Sequence, residues 1–329
     1  MTNFLTVIDL LVVSLVIRCY DDAGAPAVTT ALPNGVPTLT GRSGPEPMSQ
    51  TEVVCRRSSM TIRTMAALAV IGATSSTEVA MLDLRGLLAD IPEMKGHAPG
   101  EDQEYVNGWG IFALPFESGD VLALRVFPQN DFSPYRALWH RDPSGRWAIY
   151  VDGSRLDTSC PRYFGSVCGY TGFAGIDVTW AAQNSLRIRM TGPSLDWTVT
   201  AHSTRVLTFV NAVSAKLPLA SWRPQTLVRA RERMAHRLGM GHIQLNGVMP
   251  SGHTGHLMPE QMFFIDEARA TLNGADLGRP VRLPSNPTIG EFRLPSRGVL
   301  VKGGAVWDVL DPVEYERTRA ATGAPVERS

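Results

Sequence analysis

Two strand-like stretches carry the residue types best suited to acid–base chemistry. Residues 176–181 read IDVTWA and residues 195–202 read LDWTVTAH. In each, an aspartate (Asp177 or Asp196) follows a large apolar residue, and a tryptophan (Trp180 or Trp197) lies close by. A carboxyl enclosed by apolar side chains has a raised pKa, because burial penalises its charged form. Such a group can act as a general acid at neutral pH and protonate an alkene or a carbonyl. Tryptophan faces beside it would stabilise a developing cation. Asp177 and Asp196 are therefore the expected catalytic residues. Strand alternation supplies the competing reading: with Ile176 and Val178 inward, Asp177 points to solvent.

Two other clusters gather chemistry-bearing side chains. Trp139-His140-Arg141-Asp142 holds a base, a cation and a carboxylate, but Asp142-Pro143-Ser144-Gly145 reads as a turn capped by Asp142. If Trp139 faces the interior, Arg141 does too and His140 faces out; in the other orientation His140 touches a pocket. His253 and His256, with Glu260 beyond, would share one face of a helix and hold a metal. Pro250, Ser251, Gly252 and Gly255 favour a hairpin loop instead, with the two rings pointing apart, so no metal is expected. The sequence has no P-loop, no GxGxxG, no HExxH and no GxSxG, so no nucleotide or other cofactor is expected either. Trp109, Trp139, Trp147, Trp180, Trp197, Tyr170 and His140 are the expected substrate-binding residues. Tyr163, Phe164, Tyr170 and Phe173 would form a lid over a pocket or plug one end of a barrel.

Charge narrows the partners. Lys+Arg and Asp+Glu both number 31, so there is no global electrostatic footprint for nucleic acid. The basic exception is the helix expected at 224–238, with Arg229, Arg231, Arg233, Arg237 and His236 against Glu232. It is either a solvated face or a contact for anionic membrane lipid or an acidic partner. Cys19, Cys55, Cys160 and Cys168 form no CxxC pair. Cys160 and Cys168 are expected as free thiols in a reducing cytoplasm; a disulfide between them would need an oxidising compartment.

These residues need elements to position them. Residues 4–17 are apolar but too short to span a membrane, and Asp9 interrupts them. Residues 21–59 lack periodicity and are expected to be disordered. The first 80 residues read as a disordered or non-native extension, with Met60 or Met81 as alternative starts and an exported or membrane-associated protein as the alternative to a cytoplasmic one. A short helix is expected at 81–93, ended by Pro92. Strands are expected at 106–115, 120–128, 134–141, 146–151, 176–181, 185–191 and 195–202, separated by turn residues such as Glu117-Ser118-Gly119-Asp120, whose acids are expected at the surface. Residues 158–173 read as an irregular connection. The period then becomes helical over 204–217, with Val206, Phe209, Val210, Val213 and Leu217 on one stripe. Strands return at 241–249, 255–265 and 267–273, with Asn246-Gly247 and Asn273-Gly274 as turns, and again within 288–311 around a Gly303-Gly304 turn. The tail from Tyr315 reads as a short helix. The organisation is a first β-unit at 81–203, a helical insertion at 204–239, a second β-unit at 240–312 and a tail at 313–329. The fold class is mainly β: a large antiparallel lipocalin-like barrel, or two stacked β-units, with a helical insertion.

The opening strand pair EYVNGWG and SGDVLALRVF, the hairpin RDPSGRW and the paired strands SLRIRMTG and LDWTVTAH resemble the lipocalin-like (calycin-type) proteins of the AttH and carotenoid 1,2-hydratase superfamily. That superfamily is in turn similar to tocopherol cyclases and certain natural-product Diels–Alderases. The resemblance covers roughly residues 100–312 and transfers no catalytic residue. It implies a hydrophobic cup for an isoprenoid or polyketide-like ligand. The function expected is thus binding of a hydrophobic small molecule, with cyclisation or hydration by proton donation as the enzymatic form. A non-catalytic carrier of lipid-like ligands, docked on membranes through helix 224–238, and a structural interaction module are the alternatives.

Overall fold

Strand alternation and turn chemistry place the elements much as the sequence implies. The computed structural model describes residues 83–89, 91–95 and 102–322. The readings made for residues 1–80, including Cys19 and Cys55, fall outside them. In chain order the elements are α1 (Leu84–Leu88), β1 (Met94–Lys95), β2 (Gln103–Pro115), β3 (Val121–Asn130), β4 (Tyr135–Arg141), β5 (Trp147–Asp152), α2 (Cys160–Phe164), β6 (Tyr170–Phe173), β7 (Gly175–Ala182), β8 (Ser185–Thr191) and β9 (Leu195–His202). Then follow α3 (Arg205–Ser214), α4 (Gln225–Ala235), β10 (Asn246–Val248), β11 (Thr254–Leu272), β12 (Ala275–Asp276), β13 (Thr288–Ile289), β14 (Phe292–Arg293), β15 (Val299–Asp308) and α5 (Pro312–Ala321). Polar caps start three of the five helices: Asp83 accepts from Gly86 N, Thr204 from Leu207 N, and Asp311 from Val313 N and Glu314 N.

Ten strands of one curled, thirteen-stranded sheet lie in the order β6-β5-β4-β3-β2-β15-β11-β9-β8-β7, with β1 paired to β3 and β10 and β12 paired to β11 off this path. The strands assigned to separate units at 81–203 and 240–312 belong to this single sheet. β15 pairs with β2, and β11 joins β15 to β9, so the later segment fills the middle of the earlier one. Nor is the sheet wholly antiparallel. Residues 158–173, expected to be irregular, contain α2 and then β6, which runs parallel to β5 because α2 carries the chain back to its starting edge.

Curling gives the sheet two unlike faces. One buried cluster draws Ile111, Leu124 and Leu138 from one end of the strand path and Ile176, Ile188 and Trp197 from the other. Residues this far apart in strand order meet only on a concave side. The two ends also touch: Ala174 N donates to Val151 O and Arg136 Nη1 to Ile176 O. The convex side is covered by α2, the helical insertion and residues 283–294 in three further clusters. Asn211 of α3 completes this cover by bonding both N–H and C=O of Met262, where β11 has run past the end of β9. The buried stripe of α3 is Leu207, Val210 and Asn211, while Val206 and Phe209 are exposed.

Three expected turns are resolved differently. β11 runs unbroken for 19 residues, and a bulge between Ile265 and Glu267 takes the place of the expected break at 266. Asn246-Gly247 lies within β10, whereas Asn273-Gly274, both with positive φ, does turn the chain from β11 to β12. Gly303-Gly304 lies inside β15. A Cβ on Gly303 would stand 2.3 Å from Met258 O, so the glycine is there for close strand approach. Gly303→Ala is expected to cost about 1–3 kcal/mol as an overpacked site, read as a shifted midpoint in urea unfolding. Among the described residues no helix is long and apolar enough to cross a membrane.

Candidate functional site

The three convex-side clusters do not close completely where they meet. They leave an apolar cavity of about 80 Å³ between the sheet and its cover. Trp139 of β4 and Met258 and Met262 of β11 line the sheet side, with Ala305 and Trp307 of β15; Tyr163 of α2, Met240 and Leu294 line the cover. Arg125 and Arg293 are its charged lining residues, and among the described residues no Asp or Glu lines it.

Arg125 sits at this wall because β2 is bulged opposite it. The register shift between Ile111 and Leu114 frees carbonyls that β3 cannot meet. Arg125 Nη1 donates to Ile111 O (2.6 Å) and Leu124 O (3.1 Å), and Nη2 to Phe112 O (3.3 Å). The guanidinium lies 4.1 Å from the Phe112 ring centroid and 4.8 Å from that of Trp139. Burial pulls its pKa down to about 10, so it stays charged at neutral pH. No carboxylate pairs with it among the described residues. It therefore braces the bulge and gives the cavity a positive wall. The Tyr135 hydroxyl and Cys160 Sγ lie 3.5 Å apart beside it, and burial holds both protons above their ordinary pKa.

Glu104 fixes the opposite wall. Its carboxylate is 1% exposed and accepts from Arg162 Nη2 (2.6 Å) and from the Tyr163 hydroxyl, with His253 Nε2 3.7 Å away. Burial alone would raise its pKa. The nearby His253, hydrogen bonds from Arg162 and Tyr163, and the charge of Arg162 outweigh that and hold it at about 2. The result is a Tyr163 ring clamped flat on Trp307, 4.2 Å between centroids.

Of the residues expected to bind substrate, Trp109 and Trp139 line this cavity. Trp147 supports Trp139 edge-on (6.1 Å) while its indole N–H donates to Thr288 O. Trp180 is half-buried against Trp109 (6.5 Å), and Trp197 is fully buried in the concave core. Tyr170 is half exposed and leans on Tyr150. His140 shares the concave side with its cross-strand neighbour Leu122, and its Nε2 meets Asp120 Oδ1 at 2.7 Å. Asp120, expected at the surface, is thereby buried in the turn.

The aspartates expected to be catalytic are not enclosed. Asp177 is exposed on β7, and Asp196 on β9 is ion-paired with Arg187, its side chain 44% exposed. Both stand opposite Arg189 of β8, forming a charged row on the outer surface. The Arg187 hydrogen bonds hold the Asp196 carboxyl below its ordinary pKa, the reverse of what a general acid needs. Alternation decided the matter: Ile176, one residue earlier, takes the concave side.

His253 belongs to the Glu104 cluster, its Nδ1 2.7 Å from Ser251 Oγ, while His256 lies on β11 and pairs with Asn246 of β10. No group of three His, Cys, Asp or Glu side chains among the described residues is placed to hold a metal. Cys160 and Cys168 are free thiols, and burial pushes Cys168 up to about 12. The basic helix is α4, ending earlier than expected at Ala235, with a wide turn from His236 that Gly239 (φ 80°) closes. Arg231 is folded against Trp222, 3.7 Å from the ring centroid, and donates to Ser221.

Sequence reasoning passed over Arg125, Glu104 and Met258, and took Tyr163 only as part of a lid or plug. One signal was present: Arg125 interrupts the apolar run VLALRVF where an outward residue of an uncovered strand would have company. No protein-family model matches the chain, and no curated protein matches it.

Proposed function

We propose that the protein binds a hydrophobic small molecule, isoprenoid or polyketide-like in character, in the convex-side cavity. The observation that carries this reading is an apolar void walled by aromatic residues, among them Trp139, Tyr163 and Trp307, and by Met240, Met258 and Met262. At about 80 Å³ the void is smaller than the roughly 150 Å³ engineered cavity that takes up benzene. A ligand therefore enters by displacing side chains, and unbranched methionines re-pack at low cost. The resemblance to lipocalin-like proteins implies the same ligand chemistry, although in the concave cup rather than on the outer face. A carrier is favoured over a cyclase or hydratase, because the acids at the cavity are the phenols of Tyr135 and Tyr163 and the thiol of Cys160. Burial makes all three weaker proton donors than their ordinary pKa values imply.

Ala305→Leu tests the reading. Ala305 lines the void from β15 and is 4% exposed, so the added carbons fill the space a ligand would use. Titration with the neutral apolar fluorophore N-phenyl-1-naphthylamine is expected to show saturable binding to the wild type. The variant should bind at least about tenfold more weakly, a loss of about 1.4 kcal/mol, with its thermal midpoint preserved. Equal binding by both proteins would refute the proposal.

A further inference from the structure

A second recess adjoins the cavity, of about 580 Å³ and opposite character. Arg229, Arg233 and Arg237 follow one another at four-residue spacing along α4 and into the turn beyond it, and Arg293 of β14 faces the same space with His236 and His242. Glu232 is the acid of this lining, and its Oε1 is taken by the N–H of Leu245 (2.9 Å). Among the described residues none of the four arginines forms an ion pair with a carboxylate. Asn246 lines the recess as well, and both its Oδ1 and Nδ2 are shielded from solvent without a hydrogen-bond partner.

The recess and the cavity share Ile243, Gln244 and Arg293 as a common wall. That wall is a single pairing of two segments: Gln244 N donates to Arg293 O (3.3 Å), and Arg293 N to Gln244 Oε1 (3.1 Å). One molecule with an apolar body and an anionic head thus finds its two environments a strand's width apart. A carboxylate would neutralise only one of four guanidiniums. Phosphate and diphosphate carry more charge and more acceptor oxygens, and guanidinium forks match their geometry bidentately.

We infer that the ligand of the apolar cavity is a phosphorylated amphiphile whose phosphate or diphosphate head sits among Arg229, Arg233, Arg237 and Arg293. This rests on the hydrophobic-ligand reading and adds the head group to it.

Calorimetric titration of the full chain with farnesol, farnesyl diphosphate and inorganic diphosphate isolates the head, since the first two differ only there. Farnesyl diphosphate is expected to bind at least about tenfold more tightly than farnesol, as charge-assisted hydrogen bonds add to apolar contact. That advantage, and the binding of inorganic diphosphate, should vanish in the triple variant Arg229→Gln, Arg233→Gln, Arg237→Gln. All three side chains are exposed, so the variant folds, and its thermal midpoint verifies this. Vesicles of phosphatidylcholine with and without phosphatidic acid separate the two sources of such a head. Arginine-dependent extraction of phosphatidic acid assigns a membrane lipid as ligand, and binding of the soluble diphosphate alone assigns a free one; either result supports the inference. Equal affinity for farnesol and farnesyl diphosphate in both proteins overturns the inference and leaves the cavity reading standing. Binding of inorganic diphosphate with neither farnesyl compound bound overturns both.

Discussion

Glu104→Gln is expected to lower the stability of the fold by about 3–5 kcal/mol at neutral pH, the range for breaking a buried ion pair by removing one partner. The glutamine is close in shape but cannot balance Arg162, whose guanidinium side chain is 11% exposed. It also replaces one acceptor oxygen by an amide donor facing Tyr163 or Arg162. The effect has a pH signature. The folded carboxyl titrates at about 2 against an ordinary value of 4.5. A depressed carboxyl stabilises the fold above its unfolded pKa, and that contribution is lost as pH falls through the folded value. The wild type should therefore lose about 3 kcal/mol between roughly pH 5 and pH 2 from this group, while the variant lacks that slope. Urea unfolding at pH 7 and pH 2 measures both quantities. A variant within about 1 kcal/mol of wild type at pH 7 would mean that Glu104 does not hold α2 on the sheet. Because Tyr163 is the side chain Glu104 clamps, the variant should also soften one wall of the cavity.

That clamp illustrates which parts of this protein are legible in its sequence. The strands were legible: period-2 alternation in LRIRM and the Gly-bearing turns at Gly119 and Gly145, both with positive φ, place β3, β5 and β8 within a residue or two. The pairing was not. β15 lies beside β2 although Leu300 and its partner Ile111 are far apart in the chain, and no local pattern encodes that choice. With the pairing hidden, one sheet reads as two units. The long glycine pair misled for a related reason. Gly303-Gly304 looks like a turn until Met258 O and Val106 O are seen to press against it from both sides. The cavity was hidden because its walls come from β4, β11, β15, α2 and the stretch after α4, on a face whose cover is invisible to strand periodicity. Trp109 and Trp139 could be named because tryptophans are rare and usually buried. Arg125 and Met258 could not be placed without the bulge and the strand order.

Trp197 gives the sharpest separation between a core residue and a ligand contact. It is fully buried among Ile188, Ala270 and their neighbours on the concave side, away from the cavity. Trp197→Ala is expected to cost about 3–5 kcal/mol, as for large aromatics deleted from a core. Trp197→Phe should cost much less. Its loss of volume opens a small void, but the indole Nε1–H it removes is buried without a partner. Freeing the fold of an unsatisfied donor returns about 1–3 kcal/mol, comparable to the cavity term, so the net change should stay within about 1 kcal/mol. The two effects are read by urea unfolding, and the same Trp197→Phe protein titrated with N-phenyl-1-naphthylamine should bind as the wild type does. A phenylalanine variant that folds normally but no longer binds the fluorophore would place the ligand in the concave core. The charged row of Asp177, Arg189 and Asp196 would then lie on the outside of the binding cup, and the convex cavity would be a packing defect.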